Sequence, residues 1–359
     1  MKKYLQIYEG IKKDIVEGAY KTGTKLPSKR TLAELWGVSL ITVEHAYNLL
    51  IEEGYVNTME KSGYFVAYQT GDYFLGEKKT GVSESANEYN FEFDYRIKPD
   101  NRFEYISYDI YSKTVRKVLS FFADEVFVKS PAFGNLRLRR EISEYLLRSR
   151  NIKASYEQII IGAGAEYLYQ MIAITLGTDK IYGVETPGYR KIKEVYEAGG
   201  IKTDSLKLGK NGIISSQLEK TKARVLHITP YRSYPTGITA SAGKKEEYLK
   251  WSRKNDGIII EDDFESEFTP SRKSVDTLYS MDDEQRVIYV NTFTQTISPS
   301  VRMAYMIVPE KMLDVFNSKT GIFSCPVATL EQLVVAQLLS SGDFERHINR
   351  VRRKIRNLK

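Results

Sequence analysis

The feature that most restricts this chain is a long alternation of short β-branched runs with helix-length amphipathic segments. QIIIGAG, KIYGVET, RVLHITPY, GIIIEDDF, RVIYVNTF and MAYMIVP each hold a strand's length of mostly apolar residues. Among them stand YLYQMIAITLG, YRKIKEVYEAG and KKEEYLKWSRKN, which read as helices. Strands that are apolar at nearly every position are buried on both faces, and strands joined through helices run parallel. The expected fold class is α/β: three layers, α/β/α, around a mostly parallel sheet. KVLSFFADEVF and LRLRREISEYLLRSR read as helices ahead of it, and the tail LEQLVVAQLLSSGDFERHINRVRRKIRNLK reads as helical.

The amino-terminal segment follows a different plan. In YLQIYEGIKKDIVEGAY, Leu5, Tyr8, Ile11 and Ile15 recur at helical spacing. GTKLPSKRTLAELWGVSLITVEHAYNLLIEEGYV then gives two short amphipathic helices around a break at Gly37-Val38-Ser39, with Ser28 and Ser39 as N-caps. NTMEKSGYFVAY reads as two strands around Lys61-Ser62-Gly63. Helix, helix, turn, helix, hairpin is a winged helix-turn-helix, expected over residues 1–68. The polar, glycine-rich stretch 69–89 reads as a linker, and the large domain is expected over 90–359.

Composition narrows the functional classes only slightly. A hydrophobic content of 42% supports packed cores, and a formal charge of +7 fits an anionic partner without choosing one. The single cysteine, Cys325, excludes an intrachain disulfide and is expected to be a buried structural thiol in a reducing compartment. Three scattered histidines have no metal-ligand spacing, so no metal is expected. No run approaches the ~18 apolar residues of a membrane span, and the first residues lack a signal-peptide core. A cytoplasmic protein with no membrane contact is the expectation.

LPSKRTLAELWGVSLITVEHAYNLLIEEGYV, with KSGYFVA after it, resembles the GntR family of winged-helix repressors from about Tyr8 to Ala67. The resemblance implies double-stranded DNA as a partner, read by a helix that starts at Ser39. It makes Ser28, Lys29, Arg30, Ser39, Leu40, Ile41, Thr42, His45, Lys61 and Ser62 the DNA-contact candidates, with Lys29 and Arg30 at phosphates. Leu40 and Ile41 stand where the family commonly has an arginine and a polar residue. Aliphatic side chains can meet thymine methyls but cannot hydrogen-bond guanine. The segment's charge is nearly balanced, so strong binding calls for two copies acting together; the resemblance implies a homodimer.

SPAFGNLRLRREISEYLLRSR, IIIGAGAEYL, ETPGYRK, ITPYRSYPTGI, IIIEDDFESEF and NTFTQTISPSVRMAYMIVP occur in the order of the fold-type I aminotransferases. Fused to a GntR-like head, this segment resembles the MocR-like regulators. The resemblance implies a pyridoxal phosphate site. The turn Gly164-Ala165-Glu166 would offer backbone amides to the phosphate, with alanine where a hydroxyl residue is usual. Tyr189 would stack on the pyridine ring, Asp262 would pair with its nitrogen, and Thr292 and Arg302 would contact phosphate.

The same comparison implies lost chemistry. Gln295 stands at the Schiff-base lysine, Phe264 at a tyrosine, and Arg232-Ser233 at a His-Gln pair. The family's small C-terminal domain, with its substrate-carboxylate arginine, has no counterpart before Lys359. With Gln295 no catalytic residue is assigned. The expected function is a DNA-binding transcriptional regulator whose aminotransferase-like domain dimerises and senses a small-molecule effector. Pyridoxal phosphate or pyridoxamine phosphate, if bound, is expected to be non-covalent. The alternative is an active enzyme that uses another lysine, such as Lys319 or Lys311.

Overall fold

A computed structural model describes residues 2–59, 62–69, 104–269 and 276–357. The chain divides into two compact units, residues 1–96 and 97–359. The expected linker lies outside the described residues from position 70 onward, as do the expected domain start at Asn90 and the candidate Lys61.

The first unit contains α1 (Lys3–Val16), α2 (Lys29–Trp36), α3 (Leu40–Glu52) and the antiparallel hairpin β1 (Val56–Met59) and β2 (Gly63–Val66). Both predicted caps form: Ser28 Oγ accepts the Thr31 N–H at 3.2 Å, and Ser39 Oγ accepts the Thr42 N–H at 3.3 Å. The apolar face of α1 is Ile7, Tyr8, Ile11 and Ile15. Leu5 is only half-buried, because the helix turns the Ile7 and Ile11 side of that face onto α3. These residues pack on Val43, Ala46, Tyr47 and Leu50 of α3. Tyr47 Oη donates to the Pro27 carbonyl at 2.6 Å and so ties α3 to the start of α2. At the wing, Gly63 has φ +119, and a Cβ there would lie 3.1 Å from Lys25 Cε. A side chain would meet both strain and crowding.

The second unit holds α4 (Tyr108–Phe121), α5 (Ala123–Val126), α6 (Leu136–Arg150), α7 (Ala165–Leu176), α8 (Arg190–Ala198), α9 (Ser215–Lys220) and α10 (Ala242–Lys254). It continues with α11 (Leu278–Met281), α12 (Leu313–Thr320), α13 (Thr329–Ser340) and α14 (Asp343–Asn357). Its strands are β3 (Ile159–Gly162), β4 (Ile181–Thr186), β5 (Lys202–Gly209), β6 (Gly212–Ile213), β7 (Val225–Ile228), β8 (Ile258–Asp262), β9 (Val287–Thr292) and β10 (Ala304–Ile307). They form one sheet in the order β3-β10-β9-β8-β7-β4-β5-β6. The central strands β9, β8, β7, β4 and β5 are parallel, while β10 and β6 run antiparallel to their neighbours.

Alternation along the strands builds the three layers. Ile159, Ile161, Tyr289, Tyr305 and Ile307 face a core shared with α4, α6, α13 and α14. Ile160, Ile288, Val290 and Met306 face the opposite core, with α7, α8 and α12. Where the sheet passes under α10, Leu226, Ile228, Ile259 and Val287 pack on Tyr248, Leu249 and Trp251. The segment KVLSFFADEVF is two helices rather than one, divided at Phe122 (φ −126, ψ 30). The tail likewise breaks between α13 and α14, at Gly342 with φ +71. Cys325 is partly rather than fully buried; its Sγ lies 3.5 Å from Gln332 Nε2, and burial pushes its thiol up.

Candidate functional site

Strand register brings the predicted pocket residues to one edge. Ala304 of β10 sits across from both Thr292 of β9 and Gly162 of β3, while Asp262 of β8 is level with Val290 of β9. The turn into α7, the end of β8, the end of β9 and the approach to β10 therefore meet at the carboxyl ends of the parallel strands, where open α/β sheets bind ligands. A cavity of about 450 Å³ opens there. Its walls include Gly164, Ala165, Glu166, Tyr189, Asp262, Thr292 and Arg302, together with Gln295 and Phe264. All the predicted cofactor residues are thus brought together.

Asp262 is 3% exposed and closes the floor of the cavity. Its Oδ2 accepts a hydrogen bond from the Tyr169 hydroxyl and lies 3.5 Å from His227 Nε2. His227 Nδ1 is in turn 2.7 Å from the Tyr196 hydroxyl. A carboxylate can only accept, so the network is satisfied when Nε2 carries the proton and Nδ1 accepts from Tyr196. Burial, reinforced by Asp262, pushes the Tyr169 hydroxyl far up, so it stays a donor. Asp262 Oδ1 is buried with no hydrogen-bond partner among the described residues. A buried carboxylate oxygen without a partner, on a residue that lines the cavity, fits a cationic N–H, such as that of a protonated pyridine ring.

The opposite end of the cavity is arranged for an anion. Gly164 has φ +94, and a Cβ there would lie 3.0 Å from the Arg302 guanidinium, so the turn admits glycine alone without strain. The helix amino terminus that follows is occupied by Glu166. Its Oε2 lies 3.3 Å from Arg302 Nη2, and its Oε1 lies 3.3 Å from Lys191 Nζ. Burial acts to raise the Glu166 carboxyl, but its own backbone N–H, Lys191 and Arg302 outweigh burial and hold it below its usual value. The Thr292 hydroxyl is engaged locally: it donates to Met303 O or Thr294 Oγ1 and accepts the Thr294 N–H at 3.1 Å. The structure fits a pyridinium at the Asp262 end. At the cationic end, a phosphate would compete with an internal carboxylate.

Neither lysine suggested as a substitute amine lines the cavity. Lys319 Nζ donates to the Thr175 carbonyl at 2.8 Å, and Lys311 Nζ to the Glu284 carbonyl at 2.7 Å. The cavity does contain Lys191. Tyr189 and then Glu166 push its ammonium up from its usual value, the opposite of what a nucleophilic amine needs.

Tyr169, Lys191, His227, Thr229, Tyr234 and Glu265 are pocket or network residues that the sequence did not single out. A histidine inside the apolar run VLHI was the one visible signal, since a buried imidazole needs partners. At the rim, Arg232 adopts φ +51 and places Nε 3.4 Å from Glu265 Oε2. Ser233 Oγ donates to Glu185 Oε2 at 2.6 Å. The departures from the His-Gln pair therefore face acids.

In the first unit, Ser39, Leu40, Ile41 and His45 are exposed on the start and outer face of α3, with Thr42 half-buried beside them. Ser28, Arg30 and Ser62 are also exposed. Lys29 is engaged: its Nζ lies 2.8 Å from Glu44 Oε1 of α3.

Residues 3–66 match the family model for bacterial regulatory proteins of the gntR family. Over 98% of its length the chain is 30% identical to YdeL of Bacillus subtilis, an uncharacterized HTH-type transcriptional regulator, of which it covers 76%. The chain belongs to the MocR-like HTH-type transcriptional regulators. It is also 29% identical to PdxR of Corynebacterium glutamicum, an HTH-type pyridoxine biosynthesis transcriptional regulator (98% of this chain, 76% of that one). With the probable rhizopine catabolism regulatory protein MocR of Rhizobium meliloti it shares 26% identity over 97% of this chain and 74% of that one.

Solved structures confirm the fold of the second unit in this MocR-like regulator. An archaeal alanine:glyoxylate aminotransferase superposes with a TM-score of 0.62 at 23% identity, over 67% of this chain and 62% of that one. LysN, the α-aminoadipate aminotransferase of Thermus thermophilus, gives 0.63 at 21%, over 72% and 66%. The chain thus spans about three quarters of its regulator relatives and, for the first of these enzymes, less than two thirds. The family places a DNA-binding winged helix-turn-helix on an aminotransferase-like α/β unit, and DNA is the partner that membership implies. Among the described residues no helix is long and apolar enough to cross a membrane.

Proposed function

We propose that this MocR-like regulator binds DNA through Ser28, Arg30, Ser39, Leu40, Ile41, Thr42, His45 and Ser62. Its aminotransferase-like unit holds a pyridoxamine phosphate-type effector without a covalent bond and does not transaminate. One observation carries the reading: the cavity wall presents the amide Gln295, and the ammonium of Lys191 is tied to Glu166. An amide is no nucleophile and no proton shuttle at neutral pH.

Asp262 would hold the pyridine nitrogen, with Tyr169 and His227 fixing the carboxylate's orientation. Tyr189 would cover the ring, and Ala165, Thr292 and Arg302 would face the phosphate. When bound, such a group supplies an electron-withdrawing ring; this chain binds and orients it. The printed names of one relative and one structural neighbour support the class. PdxR is named for pyridoxine biosynthesis, and the Pyrococcus horikoshii kynurenine aminotransferase structure contains PMP.

A protein that acts on genes in this way would work in the cytoplasm. A homodimer, as the family arrangement implies, would set two winged helices on two half-sites and so offset the modest affinity of a head with near-balanced charge. Fluorescence anisotropy of the full chain on a duplex selected from a random library, with and without pyridoxamine phosphate, tests the proposal. It predicts a ligand-dependent change in affinity. If the ligand alters neither DNA affinity nor thermal stability, the effector part fails.

A further inference from the structure

The face that α3 turns outward is unusual in its chemistry. Its inner face, Val43, Ala46, Tyr47 and Leu50, is fully buried, yet Leu40 and Ile41 in the first turn are 47% and 66% exposed. A helix-turn-helix offers this turn to base edges. Several side chains beside the pair also make contacts within the protein while staying at the surface. Thr42 Oγ1 lies 2.9 Å from Ser39 Oγ, and Glu44 is tied to Lys29 at 2.8 Å. The His45 ring stands edge-on to Tyr4 with centroids 5.9 Å apart.

Elsewhere in the first unit, exposed cations suit a nucleic acid backbone. Lys25, beside the wing glycine Gly63, and Arg30, near the start of α2, are exposed and form no ion pair among the described residues. The Lys29–Glu44 pair cancels the acid that would otherwise repel phosphate from α3. An aliphatic side chain cannot satisfy the acceptors of guanine or the amino groups of cytosine and adenine. The thymine 5-methyl is the one apolar group that a base edge shows in the major groove.

We propose that Leu40 and Ile41 read neighbouring thymines through their methyl groups, so that each operator half-site carries thymines where the first turn of α3 enters. The proposal rests on the DNA-binding reading of the head and goes beyond it by naming the base chemistry.

The test uses the full chain and selection from a random duplex library. Thymines in the selected half-site are then replaced one at a time by deoxyuridine, which deletes only the methyl. Each critical replacement is expected to weaken binding roughly fourfold, the equivalent of one buried methylene. The double variant Leu40→Ala, Ile41→Ala should bind the thymine and uracil duplexes alike. Changing the DNA leaves the protein untouched, so the first comparison does not depend on a variant folding. Equal affinity of the unaltered protein for both duplexes overturns the inference while leaving DNA binding intact. So does enrichment of guanine at those positions. Retention of no duplex at low salt overturns the DNA-binding reading itself, and this inference with it.

Discussion

Glu166 Oε2 lies 3.3 Å from Arg302 Nη2, at the helix amino terminus where the aminotransferase fold would receive an anion. The carboxylate is an internal substitute for that anion, because it also engages Lys191 and its own backbone N–H.

Removing its charge should therefore free the cationic end of the cavity. Glu166→Gln is expected to raise the affinity for pyridoxamine phosphate relative to unphosphorylated pyridoxamine by on the order of tenfold, the scale of one charge-assisted hydrogen bond. Calorimetric titration of both ligands measures the ratio. An unchanged ratio would mean that Glu166 does not compete with the phosphate.

At the other end, Tyr169→Phe keeps the ring and its edge contact with His227, at 4.7 Å between centroids, but removes a donor from Asp262. Urea unfolding should register a loss of about 1–3 kcal/mol for the buried acceptor. Ligand affinity should fall with it, since Asp262 is then oriented by His227 alone. Full stability in the variant would show that the hydroxyl is dispensable.

Much of the frame was legible in the sequence, and the reason is physical. Strands such as Ile159–Gly162 and Val287–Thr292 are buried at every position, and that requirement writes itself as an apolar run. Strand β5, next to the edge strand β6, carries Thr203, Asp204 and Lys207 at positions that stay partly open and buries only Leu206, so it makes no such run. The cavity was legible as a set of positions but not as a set of contacts. That Tyr169 of α7 meets Asp262 of β8, or that Glu166 folds back on its own helix, depends on packing between distant segments. The Lys29–Glu44 pair likewise withdraws a lysine that its position in the chain assigned to phosphate.

Acidity should be felt at Glu185, which accepts a hydrogen bond from the Ser233 hydroxyl. Burial pushes the Glu185 carboxyl from 4.5 up to about 7, against the opposing hydrogen bonds of Ser233 and the Thr229 backbone. The folded state then holds a proton that the unfolded chain releases, so this contribution to stability is complete below 4.5 and is lost as pH rises through about 7. Thermal midpoints should fall between pH 5 and pH 8. Glu185→Gln should flatten part of that slope, with Glu261, also raised to about 7, supplying the rest. An identical pH profile in the variant would contradict the assignment.

On the DNA side, Arg30→Ala should weaken binding to all duplexes alike and reduce the slope of log affinity against log salt by about one. Lys29→Ala should also weaken binding, through the Glu44 charge that it leaves uncompensated on α3. Titrations at several salt concentrations separate the two effects. A sequence-selective loss in Arg30→Ala would instead place Arg30 at a base.

Covalent attachment is what separates an aminotransferase pocket from one that only binds its ligand. The full-length protein would be incubated with pyridoxal phosphate, reduced with borohydride and measured by intact mass and peptide mapping. The prediction is spectral evidence of binding with no stoichiometric adduct on any pocket lysine. A single adduct at Lys191, formed in proportion to protein, would contradict it and return the pocket to amine chemistry.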